Sequence, residues 1–380
     1  MRICVDIRLL ARRVFWGIPA YAYFLIDELL SSKAAGDQFI LFYNAFRKAP
    51  LPDLWRKSAD IVEKSWPNRL LDLSLRFSGE PRLDRFINAD VYFSPHFNNM
   101  SLADFSKRVI TVHDLSFIHH PDFFSPRQKF WHWLQNYRRQ INFAGRLIAV
   151  SDFTKSDLIN YFSLPPEKVS RIYSGINPFY KKLSENDPDF LKFKKTTRLN
   201  NPFIFYLGLL ERRKNIGVLI EAFNSLKKNP KFRSFKLILA GAFGWGGAEI
   251  SSLAKKSRFA KDIRFLGAIS HNDALRLYNA AEVFVYPSFF EGFGFPPLEA
   301  QSCGTPVIAS NRASLPEILG ESALLVEPWK IGDLVSAIET VVLNPGIKKR
   351  FVLAGFKNIK RFDWKKTARE TLRVFYESRA

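Results

Sequence analysis

Residues 286–306, YPSFFEGFGFPPLEAQSCGTP, place Glu291 and Glu299 eight positions apart, with a glycine and proline turn between them. Paired carboxylates can hold hydroxyl groups, and glycines at 292 and 294 let backbone N–H groups approach a ligand closely. Pro296 and Pro297 suit the first turn of a helix, which Gly304 can close. That spacing predicts Glu299 near the helix N-terminus, where free N–H groups and the macrodipole favour anions, and Glu291 in the preceding loop. A ligand carrying both hydroxyls and phosphates fits such a site. A second constellation, GLLERRKN at 208–215, follows an apolar β-prone run and brings Arg212, Arg213 and Lys214 to a strand end beside a helix start, a suitable place for phosphate charge. A third, VITVHDLSF at 109–117, ends another such run with His113 and Asp114.

These residues need elements that hold them. Short β-rich runs alternate with longer helical patterns throughout, the rhythm of parallel sheets with crossover helices. In the first half, strands are expected at 3–7, 39–43, 91–93, 109–112, 147–150 and 169–173, with helices at 18–30, 127–143 and 152–161. The polar run SGINPFYKKLSENDPDF at 174–190 lacks sustained periodicity and reads as connecting chain. A second series follows, with strands at 203–207, 236–240, 263–266, 283–286, 307–309 and 323–326, and helices at 216–226, 248–255 and 272–280. Helices at 332–343, 345–360 and 364–376 finish the chain. The organisation is therefore α/β, with domains at 1–178 and 201–361, a linker at 179–200, and a last helix at 362–380. Ligands of open parallel sheets bind outside the carboxyl ends of the strands, where all three constellations fall.

The 380 residues suffice for two cores, and 47% hydrophobic with 24% charged residues is ordinary for a globular chain. The balance of 57 basic against 36 acidic residues gives +21, which favours anionic partners: nucleotide phosphates, nucleic acid or an anionic membrane face. Residues 1–200 carry 30 basic and 20 acidic side chains and residues 201–380 carry 27 and 16, so the excess is +10 and +11, without a basic tail. That evenness, with no nucleic-acid motif, disfavours a nucleic-acid partner. Only Cys4 and Cys303 are present and no secretory leader is evident, which points to the cytosol. No stretch is long and uncharged enough to cross a bilayer, since even 15–30 contains Asp27 and Glu28. Six scattered histidines lack ligand spacing and no Asp-x-Asp pair sits in a metal-binding setting, so no metal is expected.

Taken together, the glutamates with GFGFP between them, EAQSCGTPVIAS after them and the Arg-Lys-Asn run resemble the donor site of glycosyltransferase family 4, a retaining family with the GT-B fold. The resemblance is strongest over 203–328, clear around His113 and SDFTKSDL at 151–158, and weak over 50–85. It implies two Rossmann-like domains with parallel sheets facing a central cleft, the last helix crossing back to the first domain. Arg213 and Lys214 would then neutralise the departing diphosphate, Glu291 and the backbone of Gly292, Phe293, Gly294 and Phe295 would hold the sugar, and Glu299 the ribose. His113 would contact the sugar near its reacting face, Asp114 would orient the loop, and Gly17 would open main-chain N–H groups to the diphosphate. Leu209 stands where some members carry an arginine, and Arg12, Arg13, Phe15 and Trp16 make the Gly17 loop more basic and aromatic than a minimal one, so that it could contact the acceptor instead. The closest pattern is that of bacterial mannosyltransferases of O-antigen and related surface polysaccharides, which makes GDP-mannose the first donor and a UDP-sugar the second, with a lipid-linked glycan as acceptor. No further cofactor is implied.

Three other features bear on function. AGAFGWGGAE at 240–249 lacks the spacing of a dinucleotide fingerprint and suits a variable loop near a base. The segments 125–143, SPRQKFWHWLQNYRRQINF, and 66–77 mix aromatic and cationic residues; each is either a packed helix with a basic outer face or a peripheral contact with an anionic membrane at its inner face. Alternative functions are a GT-B sugar phosphorylase or nucleotide-sugar epimerase, or a non-catalytic basic protein binding nucleic acid or anionic membrane.

Overall fold

A computed structural model describes residues 1–11, 16–46, 51–196 and 201–378, so Arg12, Arg13 and Phe15 lie outside the described residues. The chain divides into two compact units, Met1–Gly175 with Phe362–Ala380, and Ile176–Arg361.

The first unit is built on seven parallel strands: β1 (Arg2–Asp6), β2 (Gln38–Asn44), β3 (Ala59–Lys64), β4 (Val91–Ser94), β5 (Arg108–Val112), β6 (Arg146–Ala149) and β7 (Val169–Arg171). Their order is β3-β2-β1-β4-β5-β6-β7. The second has six, β8 (Phe203–Leu207), β9 (Lys236–Ala240), β10 (Ile263–Gly267), β11 (Val283–Tyr286), β12 (Val307–Ser310) and β13 (Leu324–Val326), in the order β10-β9-β8-β11-β12-β13. Both orders reverse direction next to their first strand, the doubly wound pattern that opens a crevice at the switch point. Helices cover both faces, so FIFYL in β8 and VFVY in β11 are buried at every position and carry no alternation.

Every expected strand is present, but β3 escaped prediction because ADIVEK is polar and mostly half-buried at a sheet edge. The helix expected over 127–143 is two, Pro126–Leu134 and Tyr137–Phe143. Asn136 takes the left-handed conformation at φ 49°, and buried Gln135 turns inward to accept from the Asn99 N–H at 2.7 Å. The segment 179–200, expected as a linker, carries a helix, Pro188–Thr196, within the second unit. Phe190 and Phe193 are buried at helical spacing, Arg276 lies over the Phe193 ring, and Asn279 Oδ1 accepts from the Leu183 N–H at 2.8 Å. Two phenylalanines in a charged run were too few to register as a periodic face.

The helix Trp364–Glu377 packs within the first unit against Ile18–Ser31, where Trp364 stacks on Phe24 at 5.7 Å. Thr367 donates to the Tyr173 carbonyl at 2.8 Å and Tyr376 to Asp37 at 2.5 Å, so the last residues complete the unit that the first residues begin.

Candidate functional site

In the second unit, β8 and β11 are neighbours at the switch point, and the loops after them carry the acidic and basic residues. After β8 the chain makes a 3-10 turn, Arg212–Lys214, ended by Asn215 in the left-handed conformation at φ 57°. After β11 it runs through Pro287–Phe290 to Glu291. The two loops are laced together. The Phe289 N–H donates to the Arg213 carbonyl at 3.0 Å, Arg213 Nη1 donates to the Phe290 carbonyl at 2.9 Å, and Asn215 Nδ2 donates to the carbonyls of Pro287 at 3.2 Å and Pro328 at 2.7 Å. Asn215 thereby ties together the chain ends of β8, β11 and β13.

On this scaffold Lys214 Nζ meets Glu291 Oε1 at 2.5 Å and donates to the Tyr286 hydroxyl at 3.0 Å. Arg213 lies 3.4 Å from Glu291 Oε2 and 3.2 Å from Glu211 Oε1. Two cations face two carboxylates, and Lys214, Glu211 and Glu291 are all buried. Burial alone would raise the Glu291 pKa, yet Lys214 and Arg213 hold it below its ordinary value. Burial, with Arg213 beside it, brings Lys214 below the usual lysine value against the opposing pull of Glu291 and Glu211. Such a cluster is internally matched but can exchange partners, since an incoming diphosphate offers the cations an equivalent anion.

The helix Phe295–Ser302 begins after Gly294, whose φ of 95° and ψ of 62° suit glycine; a Cβ there would also stand 2.8 Å from Leu315. Pro296 and Pro297 occupy its first turn, and Gly304 closes it with its N–H on the Gln301 carbonyl, as the sequence predicts. Glu299 lies early in the second turn, near the N-terminus as the spacing predicts, and does not itself cap it. Its Oε2 accepts from the Tyr278 hydroxyl at 3.0 Å, away from the Lys214 cluster, and burial pushes its pKa up to about 8. Glu291, Arg213 and Lys214 are therefore brought into contact, whereas Glu299 stands apart on the same loop and helix. Phe293 is buried and its ring lies 5.1 Å from that of Phe295.

In the first unit His113 follows β5. It is buried, and its Nε2 lies 2.9 Å from the Pro95 carbonyl, which follows β4. A carbonyl only accepts, so Nε2 carries the proton and Nδ1 presents a lone pair. Burial lowers the His113 pKa to about 4, which keeps the ring neutral near pH 7. Asp114 Oδ1 accepts from the Ser116 N–H at 2.9 Å and hydroxyl at 2.5 Å, fixing the turn into the short helix Ser116–His119. Gly17 precedes Ile18–Ser31 at φ 61° and ψ −128°, a combination open only to glycine, and nothing lies within 4 Å of where a Cβ would be.

The sequence reading missed Glu211, Asn215, Tyr278 and Tyr286, and also His96, which follows β4. The His96 ring centroid is 5.8 Å from that of His113, and its Nδ1 is buried without a partner. Glu211 and Asn215 flank the basic pair in sequence, so a search for groups that neutralise and end that turn would have found them. Among the described residues no three His, Cys, Asp or Glu side chains converge as metal ligands would.

Comparison with known proteins adds to this geometry. The family model described as "Glycosyl transferases group 1" matches residues 187–358, and that described as "Glycosyltransferase Family 4" matches 17–178. O-antigen chain mannosyltransferase B of Escherichia coli is 29% identical over 287 residues, covering 75% of this chain and 74% of that protein. Among solved structures, sucrose-phosphate synthase from Thermosynechococcus elongatus superposes with a TM-score of 0.76 at 19% identity, over 99% of this chain and 98% of the other. The Anabaena protein HepE in complex with UDP-glucose does so with a TM-score of 0.70 at 18% identity, over 99% and 100%.

Proposed function

The chain belongs to glycosyltransferase family 4 and has the GT-B fold, and from that premise we propose that it moves a mannosyl group from a nucleotide diphosphate sugar, GDP-mannose first, to a hydroxyl of a lipid-linked glycan, with retention of configuration. The observation that carries this reading is the buried meeting of Arg213 and Lys214 with Glu291 at the ends of β8 and β11. The mannosyl assignment is supported by the likeness to the Escherichia coli mannosyltransferase.

In this reading the two cations exchange their carboxylate partners for the donor diphosphate. As the bond between the anomeric carbon and the diphosphate oxygen breaks, the leaving oxygen gains negative charge, and cations already in place stabilise it without reorganising solvent. The acceptor hydroxyl attacks from the same face, its oxygen bonds to the anomeric carbon, and its proton passes to a phosphate oxygen of the leaving group. Glu291, freed from Lys214, accepts from sugar hydroxyls, helped by backbone N–H groups of 292–295, and Glu299 accepts from the ribose. His113 is assigned to the sugar through its Nδ1 lone pair, Asp114 to holding the turn behind it, and Gly17 to the diphosphate.

A second donor reading, a UDP-hexose, is favoured by the likeness to HepE, whose structure holds UDP-glucose. Incubation with GDP-, UDP- and ADP-linked sugars, with and without lipid-linked glycans, separates the two by the nucleotide released. Acceptor-dependent GDP release from GDP-mannose with an axial mannoside product supports the reading. A product of inverted configuration, phosphorolysis, epimerised donor, or no turnover of any donor sinks it.

A further inference from the structure

Two neighbouring helices of the first unit present apolar side chains to solvent in one patch. The helix Asn68–Phe77 has two opposed apolar faces: Leu71 and Leu75 point inward and are buried, while Leu70, Leu73 and Phe77, at i, i+3 and i+7, point outward and are 63%, 37% and 73% exposed. Only one of these faces serves the core. Beside it runs Pro126–Leu134, where Phe130 and Trp133 are likewise exposed and stack on one another at 5.7 Å. The Phe77 and Trp133 rings meet at 5.9 Å, so the two helices share a single surface.

The charges that flank the exposed apolar side chains are mainly basic. Arg69 and Arg76 lie one step round the helix from the outward leucines, Arg76 sits over the Trp133 ring at 4.9 Å, and Arg127 stands one turn before Phe130. Lys129 is paired with Asp122 at 3.8 Å and so adds no net charge. The lone acid of Asn68–Phe77, Asp72, is partly buried and is drawn toward Arg8 and Gln135 of the interior. An apolar stripe of leucine, phenylalanine and tryptophan flanked by arginines fits the boundary between lipid headgroups and acyl chains, where aromatics and leucines enter and guanidinium groups meet phosphate. A soluble protein partner of ordinary composition would not require the arginines on the same edge as the exposed leucines.

We propose that this two-helix patch docks the protein on an anionic phospholipid surface. The inference stands apart from which sugar is transferred, because it rests on none of the donor-site residues.

The test uses the full chain with phosphatidylcholine vesicles prepared with and without phosphatidylglycerol, scored by co-sedimentation and by quenching of tryptophan fluorescence with brominated acyl chains. Wild type should bind the anionic vesicles, release with rising salt, and show quenching. Phe77→Ser with Trp133→Ser should abolish the quenching and weaken binding at least about tenfold, and Arg69→Glu with Arg76→Glu should weaken it by a similar factor, given roughly fivefold per basic residue near an anionic surface. Thermal melts of each variant establish folding, and Leu70→Ser serves where a double variant does not fold. Binding that is equal on neutral vesicles, unaffected by all these substitutions, or absent for wild type at low salt overturns the proposal. So does a wild type that sediments as a dimer through this patch, shown by the same variants becoming monomeric. Nucleotide release from the donor with water or a soluble acceptor should be unchanged in the patch variants, so failure of the docking proposal leaves the transfer reaction untouched and the reverse also holds.

Discussion

Lys214 Nζ and Glu291 Oε1 meet at 2.5 Å, each buried and each delivered by the loop after one of two adjacent strands, β8 and β11. Breaking a buried pair by removing one partner leaves an uncompensated charge, whereas removing both leaves none. Lys214→Ala is therefore expected to lower stability by about 3 kcal/mol, softened by Arg213 at 3.4 Å, and Lys214→Ala with Glu291→Ala to recover part of that loss. Turnover should fall by about a hundredfold or more in both, since a cation preorganised at a developing charge is worth that much. Thermal melts beside kcat decide it; near-normal turnover of a folded Lys214→Ala protein would remove Lys214 from the chemistry.

Glu299 gives a pH signature. Its carboxyl is pushed up to about 8 from an ordinary 4.5 by burial, so the folded state holds a proton that the unfolded state has lost. The sign follows: the Glu299 contribution to stability is fully present below about pH 4.5 and is lost as pH rises through about 8, by on the order of 5 kcal/mol in total. Glu299→Gln should flatten that slope in denaturant titrations. If the ionised carboxylate receives the ribose hydroxyls, nucleotide binding below pH 8 must release a proton. Calorimetry in buffers of different ionisation enthalpy would detect it, and unchanged nucleotide affinity in Glu299→Gln with no proton release would end the ribose assignment.

For His113 the expectation is a silence. With Nε2–H donating to Pro95 and a pKa lowered to about 4, the ring does not change charge between about pH 5 and 8. A pH–rate profile over that range should show no inflection that His113→Ala removes, while the substitution lowers the rate about tenfold through a lost hydrogen bond to the sugar. An inflection near 6.5 that vanishes in the variant would mean that His113 titrates during turnover.

What could be seen in the sequence was what rests on local pattern. All six strands of the second unit were legible because runs such as FIFYL and VFVY are apolar throughout and end at a glycine or a proline, and the turn at Gly294 because glycine is the residue its backbone requires. The contact of Lys214 with Glu291 spans 77 positions and depends on which strands neighbour each other, so spacing alone does not give it. Glu299 was legible near the start of its helix because the Pro-Pro pair marks a first turn, whereas its partner Tyr278 lies 21 positions away and was not. Phe190 and Phe193 were passed over because their charged neighbours hid a face that only the helix His271–Ala280 reveals.

Asn215 offers the sharpest separation of backbone from side chain. Its left-handed φ of 57° tolerates asparagine and glycine but strains alanine, and its Nδ2 is the donor to the buried Pro287 and Pro328 carbonyls. Asn215→Gly keeps the conformation and loses the two hydrogen bonds; Asn215→Ala loses both. Stability should drop by about 2 kcal/mol for glycine and about 1 kcal/mol more for alanine. Because the same side chain holds the Arg213–Lys214 turn against the Glu291 loop, kcat should fall in both variants, and by a larger factor than KM rises. Equal stability of the two variants would show that the left-handed turn is not imposed by Asn215, and an unchanged kcat would show that its tie between the loops does not position the basic pair.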